Sequence, residues 1–230
     1  MRALITQQQY LNDHNEPCDL LESSYIRFLQ DLELKLSIQS NFLPLELESE
    51  RPDLIIFPGG GNIDSRYMES CHDYCIQDLR DNIEKQLLCF ATENEVPVLA
   101  ICRGMQHVNG LLGGRVSVLH GLRAPRINGI DHNVRHLNGI EITVNHFHNC
   151  GIYQRNLAKS LKVIGLDVEN DLVEAYYTHR ILGLQWHPER KFEDAKSQEM
   201  STALVRDFVR NKGVLDESRY SGCRGWTSAQ

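Results

Sequence analysis

The most constraining feature of this sequence is a series of short apolar runs, each followed at once by a glycine-rich loop or a helical segment. The runs in "DLIIFPGGG" and "VPVLAICRG" are apolar at almost every position, which is typical of strands covered on both faces of a parallel sheet. The segments "YCIQDLRDNIEKQLLCFATEN" and "RGMQHVNGLLGG" instead have apolar residues at helical spacing. Strand, helix, strand and helix in this order predict a parallel sheet with crossover helices.

The remaining segments extend this pattern and add an antiparallel part. Strands are predicted for "RALIT", "GIEITVNHFH", "KVIGLDV", "LVEAYYT" and "ILGLQWHP", and helices for "EPCDLLESSYIRFLQDLEL" and "DAKSQEMSTALVRDFVRN". We therefore expect an α/β fold: a flavodoxin-like open, mostly parallel sheet flanked by helices, with a short antiparallel hairpin around His179 in the C-terminal half. Residues 1–212 would form a single domain, followed by a polar tail at 213–230.

Composition excludes several classes of protein. The chain has 230 residues and a formal net charge of −7 at pH 7, which disfavours binding to nucleic acid or to an anionic membrane surface. No apolar run is long enough to cross a bilayer and no secretion signal is evident, so we expect a cytoplasmic protein with seven reduced cysteines. Cys71 and Cys75 share a helical face, but without a second pair at matching spacing they predict packing rather than a metal site.

Cys102 lies where an apolar strand gives way to a helix. The first residue of such a bend projects from the carboxyl edge of the sheet, where open α/β sheets bind ligands. Ala100 and Gly104 are small, as a crowded nucleophile elbow requires. The helix that follows points its amino terminus at the thiol and favours the thiolate. The elbow alone is equally compatible with a buried thiol that has no chemistry.

A base for this thiol is available in "GLQWHPER". Pro188 keeps the preceding His187 extended, so His187 and Glu189 point to the same side of the chain. Glu189 could then fix the tautomer of the imidazole and stabilise its protonated form. A histidine before proline is otherwise an ordinary strand-end residue.

The glycines of "FPGGGNID" supply a third element. They let the backbone approach a substrate closely, and preorganised N–H groups stabilise the oxyanion formed when a nucleophile attacks an amide. A phosphate-binding loop is excluded because no lysine follows in the required pattern. A flexible turn is the simpler alternative.

Taken together, the motifs resemble the class I glutamine amidotransferase superfamily, and within it the stand-alone γ-glutamyl hydrolases. The resemblance is carried, in family order, by "LIIFPGGGNID", "LRDNIEKQLL", "VPVLAICRGMQHVNGLLGG", "VNHFHN" and "LVEAYYTHRILGLQWHPE". The sequence is similar to γ-glutamyl-γ-aminobutyrate hydrolase and to γ-glutamyl nucleotide-amidate hydrolases. The family implies that Cys102 is the nucleophile, His187 the general base and acid, and Glu189 the orienting carboxylate.

The same resemblance implies the remaining site residues. The backbone N–H of Arg103 and that of Gly60 or Gly61 would form the oxyanion hole, and the choice between the two glycines stays open. Gln106 and the segment around His148 match positions that line the glutamyl pocket of the family. His146 departs from the family, which usually has serine there, and we expect this difference to bear on the leaving-group specificity.

The implied function is hydrolysis of the γ-glutamyl amide bond of a small molecule, through a γ-glutamyl thioester on Cys102 and without metal or organic cofactor. One alternative is a glutaminase subunit that supplies ammonia to a separate synthase partner; a homodimer is also compatible with the sequence. A second alternative is a non-catalytic, flavodoxin-like stress protein, which would leave the histidine and its carboxylate without a purpose.

Overall fold

A computed structural model describes residues 1–49, 51–69, 78–119, 131–136, 139–167 and 169–216. The strands are β1 (Arg2–Thr6), β2 (Gln8–Leu11), β3 (Pro17–Leu20), β4 (Lys35–Gln39), β5 (Leu54–Phe57), β6 (Val98–Ile101), β7 (Ser117–Val118), β8 (His132–His136), β9 (Glu141–Val144), β10 (Cys150–Gly151), β11 (Lys162–Asp167), β12 (Leu172–Thr178) and β13 (Ile181–Leu184). The helices are α1 (Ser23–Asp31), α2 (Asp78–Asn94), α3 (Arg103–Leu111) and α4 (Ala195–Arg210).

The central sheet has nine strands in the order β4-β1-β5-β6-β13-β12-β11-β8-β9. The part from β4 to β13 is parallel, and the part from β13 to β9 is antiparallel. In the predicted hairpin, Thr178 of β12 lies opposite Ile181 of β13. The predicted α/β class is confirmed, and the antiparallel part continues beyond the hairpin through β11, β8 and β9.

Helices cover the sheet on both faces, which is why its central strands are apolar throughout. Every residue of β5 and of β6 is buried. Successive residues of β5 enter different cores: Ile56 packs in a cluster with α1 and α4, and Ile55 in a cluster with α2 and α3. A strand covered on both faces is therefore apolar at nearly every position.

The predicted first helix starts later than the sequence suggested. Its first residues form β3, which pairs antiparallel with β2, and α1 begins only at Ser23. Asp19 explains the difference, because its carboxylate accepts hydrogen bonds from Ser40 Oγ at 2.6 Å and from Asn41 Nδ2 at 2.6 Å. These tertiary contacts outweigh the local helical spacing. The start of the predicted second helix, with Cys71 and Cys75, lies outside the described residues.

Three neighbouring parallel strands end at the same edge of the sheet. β5 leads into the glycine loop, β6 into Cys102, and β13 into the segment that carries His187. Phe57 is in register with Ala100, and Ile101 with Leu184. The sheet therefore brings three distant motifs to one place at its carboxyl edge.

The C-terminal segment packs against the sheet as far as it is described. Leu215 is buried, and its N–H donates to the Tyr177 hydroxyl. Residues 217–230 lie outside the described part of the chain, so the boundary at 212 stays a prediction. Within the described residues, no helix combines the length and apolar character that crossing a membrane requires.

Candidate active site

Cys102 occupies a sharp elbow between β6 and α3. Its φ of 51° and ψ of −107° are strained for a residue with a side chain. Its N–H donates to the Leu184 carbonyl at 2.7 Å, which ties the elbow to β13. A Cβ at Gly104 would lie 2.1 Å from the Phe57 carbonyl oxygen, so the requirement for a small residue after the thiol is a steric one.

The structure brings His187 and Glu189 to this elbow. The Glu189 carboxylate lies 2.7 Å from His187 Nδ1, and the two side chains are only 3% and 0% exposed. A Cβ at Gly59 would touch both His187 Cε1 and Cys102 Cβ, at 2.8 and 3.4 Å, so the imidazole and the thiol flank the same backbone position. Since Nδ1 holds Glu189, Nε2 is the nitrogen left to exchange a proton with the thiol.

The charge state of His187 depends on these two neighbours. Burial lowers its pKa, but the charge and hydrogen bond of Cys102, followed by those of Glu189, outweigh burial and raise the pKa to about 9. The imidazole is therefore protonated at neutral pH, beside the Cys102 thiol. It can supply a proton to a group that leaves as the sulfur attacks.

Asn145 fixes the backbone of His187 from the opposite side. Its Nδ2 donates to the His187 carbonyl at 2.8 Å, and its Oδ1 accepts the His187 N–H at 2.9 Å. Phe147 packs edge-on against the imidazole, with ring centroids 5.7 Å apart, and the Arg190 guanidinium covers the Phe147 ring. Asn145 and Phe147 thus position His187 through its backbone and its ring.

The glycine loop follows β5 and faces the elbow. Gly60 and Gly61 have φ values of 88° and 73°, a left-handed conformation that favours glycine. The N–H of Gly59 is already taken, since it donates to the Tyr25 hydroxyl at 2.8 Å. The N–H of Arg103, the first residue of α3, has no acceptor within its own helix. The expected oxyanion donors, Arg103 with Gly60 or Gly61, remain compatible with this arrangement.

Comparison with known proteins identifies the family. The model of the class-I glutamine amidotransferase family matches residues 19–210. The chain belongs to this family. Among curated proteins, NtpR of Enterococcus hirae is 28% identical over 186 residues, which cover 66% of this chain and 77% of NtpR. A Schizosaccharomyces pombe protein provisionally named as a glutamine amidotransferase is 28% identical over 203 residues, covering 79% of this chain and 76% of that protein.

Solved structures share the amidotransferase fold. A Thermoplasma acidophilum protein, provisionally described as one of the subunits of GMP synthase, superposes with a TM-score of 0.62 at 18% identity, covering 92% of this chain and 96% of that one. A glutamine amidotransferase of Thermotoga maritima gives a TM-score of 0.58 at 18% identity, covering 96% and 88%. At this level of identity the likeness concerns the fold alone.

A buried ionic network supports the glycine loop. We call it the guanidinium cluster, and its members are Arg80, Asp81, Glu84, Arg103 and His107. Glu84 bonds Arg80 Nε at 2.8 Å and His107 Nδ1 at 2.7 Å, and the Arg103 side chain pairs with both Glu84 and Asp81. Burial would raise the pKa of Glu84, but Arg103 and Arg80 hold it well below its ordinary value.

Arg80 connects this cluster to the loop. Its guanidinium donates to the carbonyls of Pro58 at 2.5 Å, Gly59 at 3.3 Å and Gly60 at 2.7 Å. A planar, five-donor group suits three converging carbonyls in a way that a lysine ammonium would not. The Arg103 side chain, in contrast, is directed into the cluster, so only its backbone can serve a substrate. Arg80 was noted in the sequence only as part of a family pattern, and its contact with the loop was missed.

Tyr25 is a further residue that the sequence did not single out. Its hydroxyl accepts the Gly59 N–H, lies 3.4 Å from His187 Nδ1 and is hydrogen-bonded to Glu189. Burial, with the charges of Glu189 and Cys102, raises the pKa of Tyr25 well above its ordinary value, so the proton stays on the hydroxyl. In the sequence, Tyr25 has the spacing of a core residue on α1, and it is indeed buried.

The two predicted pocket side chains, Gln106 and His148, lie close together because both donate a hydrogen bond to the same backbone carbonyl. Gln106 Nε2 donates to the Cys150 carbonyl at 2.9 Å and to Gln185 Oε1 at 3.1 Å. His148 Nδ1 donates to the same Cys150 carbonyl at 2.9 Å. Both side chains are buried, and the opposite edge of His148 faces Glu174. Their part in binding substrate remains a prediction.

Proposed function

We propose that the protein hydrolyses the γ-glutamyl amide bond of a small molecule and releases glutamate and an amine. Cys102 is the nucleophile, His187 the general acid and base, and Glu189 the carboxylate that orients it. The observation that carries this proposal is the buried imidazole of His187, bonded to Glu189 at 2.7 Å and with a pKa raised to about 9 beside the thiol. A histidine with only a structural role would not require both a carboxylate bonded to its ring and a thiol beside it.

In the first half of the reaction, the Cys102 thiolate adds to the γ-carbonyl carbon and the carbonyl electrons move to oxygen. The N–H of Arg103 and that of Gly60 or Gly61 stabilise the oxyanion. When the carbonyl re-forms, the C–N bond breaks, and the proton on His187 goes to the leaving nitrogen. A γ-glutamyl thioester and a free amine result.

In the second half, neutral His187 takes a proton from water as its oxygen adds to the thioester carbon. The tetrahedral species collapses, the C–S bond breaks, and glutamate leaves the regenerated thiolate–imidazolium pair. Proton transfer by a positioned side chain typically contributes about 10²- to 10⁴-fold in rate, and one oxyanion donor contributes about 10²- to 10³-fold.

We propose that the residues around the thiol, rather than the triad itself, select the substrate. Gln106 and His148 would line the glutamyl pocket, as in the family that the sequence resembles. The leaving amine would be a small amino acid, a second glutamate or a nucleotide amidate, and His146 beside the pocket bears on this choice.

The proposal is tested with glutamine, γ-glutamyl-aminobutyrate, di-γ-glutamate and a γ-glutamyl nucleotide amidate. Glutamate release and intact mass after rapid quenching are measured for the wild type, Cys102→Ala and Cys89→Ala. Cys89 is the matched control because it is an exposed cysteine on α2. Wild type and Cys89→Ala should release glutamate and accumulate a thioester adduct, whereas Cys102→Ala should lose at least about 1,000-fold in kcat.

The same panel separates the alternatives. Full activity in Cys102→Ala would refute the triad. No turnover of any amide would favour a non-catalytic protein, unless glutamine hydrolysis appears when a synthase is added. The provisional description of one structural neighbour as part of a synthase is the reason to include that arm.

A further inference from the structure

The hairpin formed by β2 and β3 lies beside the glycine loop at the carboxyl edge of the sheet. β1 ends at Thr6 and β2 begins at Gln8, so the hairpin continues the chain past this edge. A Cβ built on Gly60 would collide with Gln8 Oε1 and would lie 2.9 Å from Gln8 Cδ. The Gln8 carboxamide therefore packs directly on the Cα of Gly60, where only a glycine leaves room for it.

The start of the hairpin is fixed relative to the glycine loop. Thr6 Oγ1 donates to Glu84 Oε1 at 2.9 Å, and Glu84 belongs to the same guanidinium cluster whose Arg80 bonds the carbonyls of the loop. The Gln7 carbonyl accepts a hydrogen bond from Asn41 Nδ2 at 3.1 Å. Because the hairpin and the loop are tied to one buried network, the position of Gln8 beside the loop is preorganised.

The side-chain amide of Gln8 is available to a ligand. The backbone of Gln8 pairs with Leu20 in the hairpin, but within the ranges that the structure describes its side chain has no hydrogen-bond partner. The residue is only partly buried. A primary amide has one acceptor oxygen and two N–H donors. Such a group next to an oxyanion loop can bind a polar substituent of a substrate.

Gln8 and the predicted glutamyl pocket lie on opposite sides of the thiol. The adjacent strands β1, β5, β6 and β13 lead, in this order along the edge, to Gln8, the glycine loop, Cys102 and the segment of His187. Gln106 of the predicted pocket bonds the side chain of Gln185, the residue that follows β13. A substrate with its carbonyl carbon at the thiol has its glutamyl group on one side and its amine on the other. The side opposite the pocket is the side of Gln8.

Only a substituted amine is large enough to reach Gln8. The amide of Gln8 lies on the loop after β5, which is one strand away from the strand that carries Cys102. Adjacent strands are about 4.8 Å apart, so the nitrogen bonded to the reacting carbon does not extend that far. A polar group a few atoms further along the amine does. The ammonia released from glutamine has no such group.

We propose that Gln8 is a specificity-determining residue, whose carboxamide hydrogen-bonds a polar group of the leaving amine. The inference rests on the hydrolysis proposed above and identifies the residue that contacts the departing half of the substrate. Because the amine has left before water attacks the thioester, Gln8 acts only in the first half of the reaction. It is separate from the residues that hold the glutamyl group.

The test compares amides that share the glutamyl group and differ in the amine. Values of kcat/KM are measured for γ-glutamyl-aminobutyrate, di-γ-glutamate and glutamine, the last of which cannot reach Gln8. The variants are Gln8→Ala and Gln8→Glu, with Gln30→Ala as the control at an exposed glutamine on α1. Circular dichroism establishes that each variant is folded. If Gln8→Ala is not, the nearly isosteric Gln8→Glu takes its place.

Gln8→Ala should lower kcat/KM about 2- to 10-fold for the substituted amides, as expected for one hydrogen bond, and change it less than about twofold for glutamine. Gln8→Glu should also lower it for both substituted amides, because their amines carry a carboxylate that the new charge repels. Gln30→Ala should match the wild type on all three. A purely structural residue would not change the ratio between substituted amides and glutamine.

Two results overturn this inference while the proposed function stands. Equal losses on glutamine and on the substituted amides would mean that Gln8 positions the glycine loop. Unchanged ratios in both variants would mean that the amine does not contact Gln8. Hydrolysis of glutamine alone by the wild type would also overturn the inference and would favour the glutaminase alternative. A wild type that turns over none of the amides would overturn the proposed function, and this inference with it.

Discussion

Two buried clusters of charged residues flank the elbow, and they are built in different ways. The guanidinium cluster is assembled from two helices, with the pairs Arg80–Glu84 and Arg103–His107 each one helical turn apart. The second, which we call the imidazole cluster, takes its members from β8, the segment 145–148, β11 and β12: His132, His146, His148, Asp167 and Glu174. Two guanidiniums pair with the carboxylates of the first, whereas three imidazoles lie close to the two carboxylates of the second.

The largest effect expected from this comparison follows the loss of Glu84. Glu84→Gln leaves Arg80 and Arg103 buried with Asp81 as their remaining carboxylate partner in the cluster. Breaking a buried pair in this way costs about 3–5 kcal/mol in the free energy of unfolding, measured by urea denaturation. Glu93→Gln, at an exposed position on the same helix, should change stability by less than about 0.5 kcal/mol. Equal effects would mean that the cluster does not stabilise the fold.

The second-largest effect is expected in kcat, through the glycine loop, rather than in the stability of the fold. Arg80→Lys keeps the charge beside Glu84 but cannot bond three carbonyls at once. We expect kcat to fall about 10- to 100-fold with KM little changed, because misplaced donors at the oxyanion are felt mainly in the transition state. Arg27→Lys, at an exposed position on α1, is the control. A rise in KM at constant kcat would place the function of Arg80 in substrate binding instead.

A smaller effect, on the pH dependence of activity, should be seen when the triad is changed and not when either cluster is changed. The pKa of His187 is raised above 6.5, to about 9, so the imidazolium should persist up to that pH, and activity should fall above it as the proton for the leaving amine is lost. Glu189→Gln removes one cause of the rise, and the alkaline limb of kcat/KM should move to lower pH. Glu174→Gln should leave the limb near pH 9. Identical profiles for both variants would contradict the assignment of Glu189.

The pKa of His187 also affects stability. Because it is raised on folding, the associated stabilisation is complete below about pH 6.5 and is lost as the pH rises through about 9. Urea denaturation across this range should show the loss in the wild type and a weaker loss in His187→Gln.

The smallest effect expected is that of Tyr25→Phe. The substitution removes a hydroxyl that accepts the Gly59 N–H and bonds Glu189. One hydrogen bond of this kind contributes about 0.5–1.5 kcal/mol, or about 2- to 10-fold in kcat, and circular dichroism should show an unchanged fold. A loss as large as that of Arg80→Lys would mean that Tyr25 takes part in proton transfer.

The sequence predicted the parts of the molecule whose residues are close along the chain. The apolar runs of β5 and β6 identified the parallel sheet, and the order Cys102, Arg103, Gly104 identified the elbow. His187 and Glu189 were paired from their spacing alone. The start of α1 was wrong because Asp19 is held by Ser40 and Asn41, contacts that local spacing does not encode.

The sequence could not predict contacts between segments far apart. Arg80 reaches the glycine loop and Tyr25 reaches Gly59 only because helices pack on the sheet edge. His132 and Glu174 are 42 positions apart and meet through the pairing of β8, β11 and β12. A histidine in an alternating strand resembles any half-buried polar residue until its neighbours are known.

The alternation along 145–148 has a consequence for how this protein could diversify. Asn145 and Phe147 contact His187, whereas His146 and His148 face the imidazole cluster. One inserted or deleted residue would exchange the two sets and misplace His187. The length of the segment is therefore constrained by His187, whereas the side chains at 146 and 148 do not contact that histidine through the bonds that Asn145 makes.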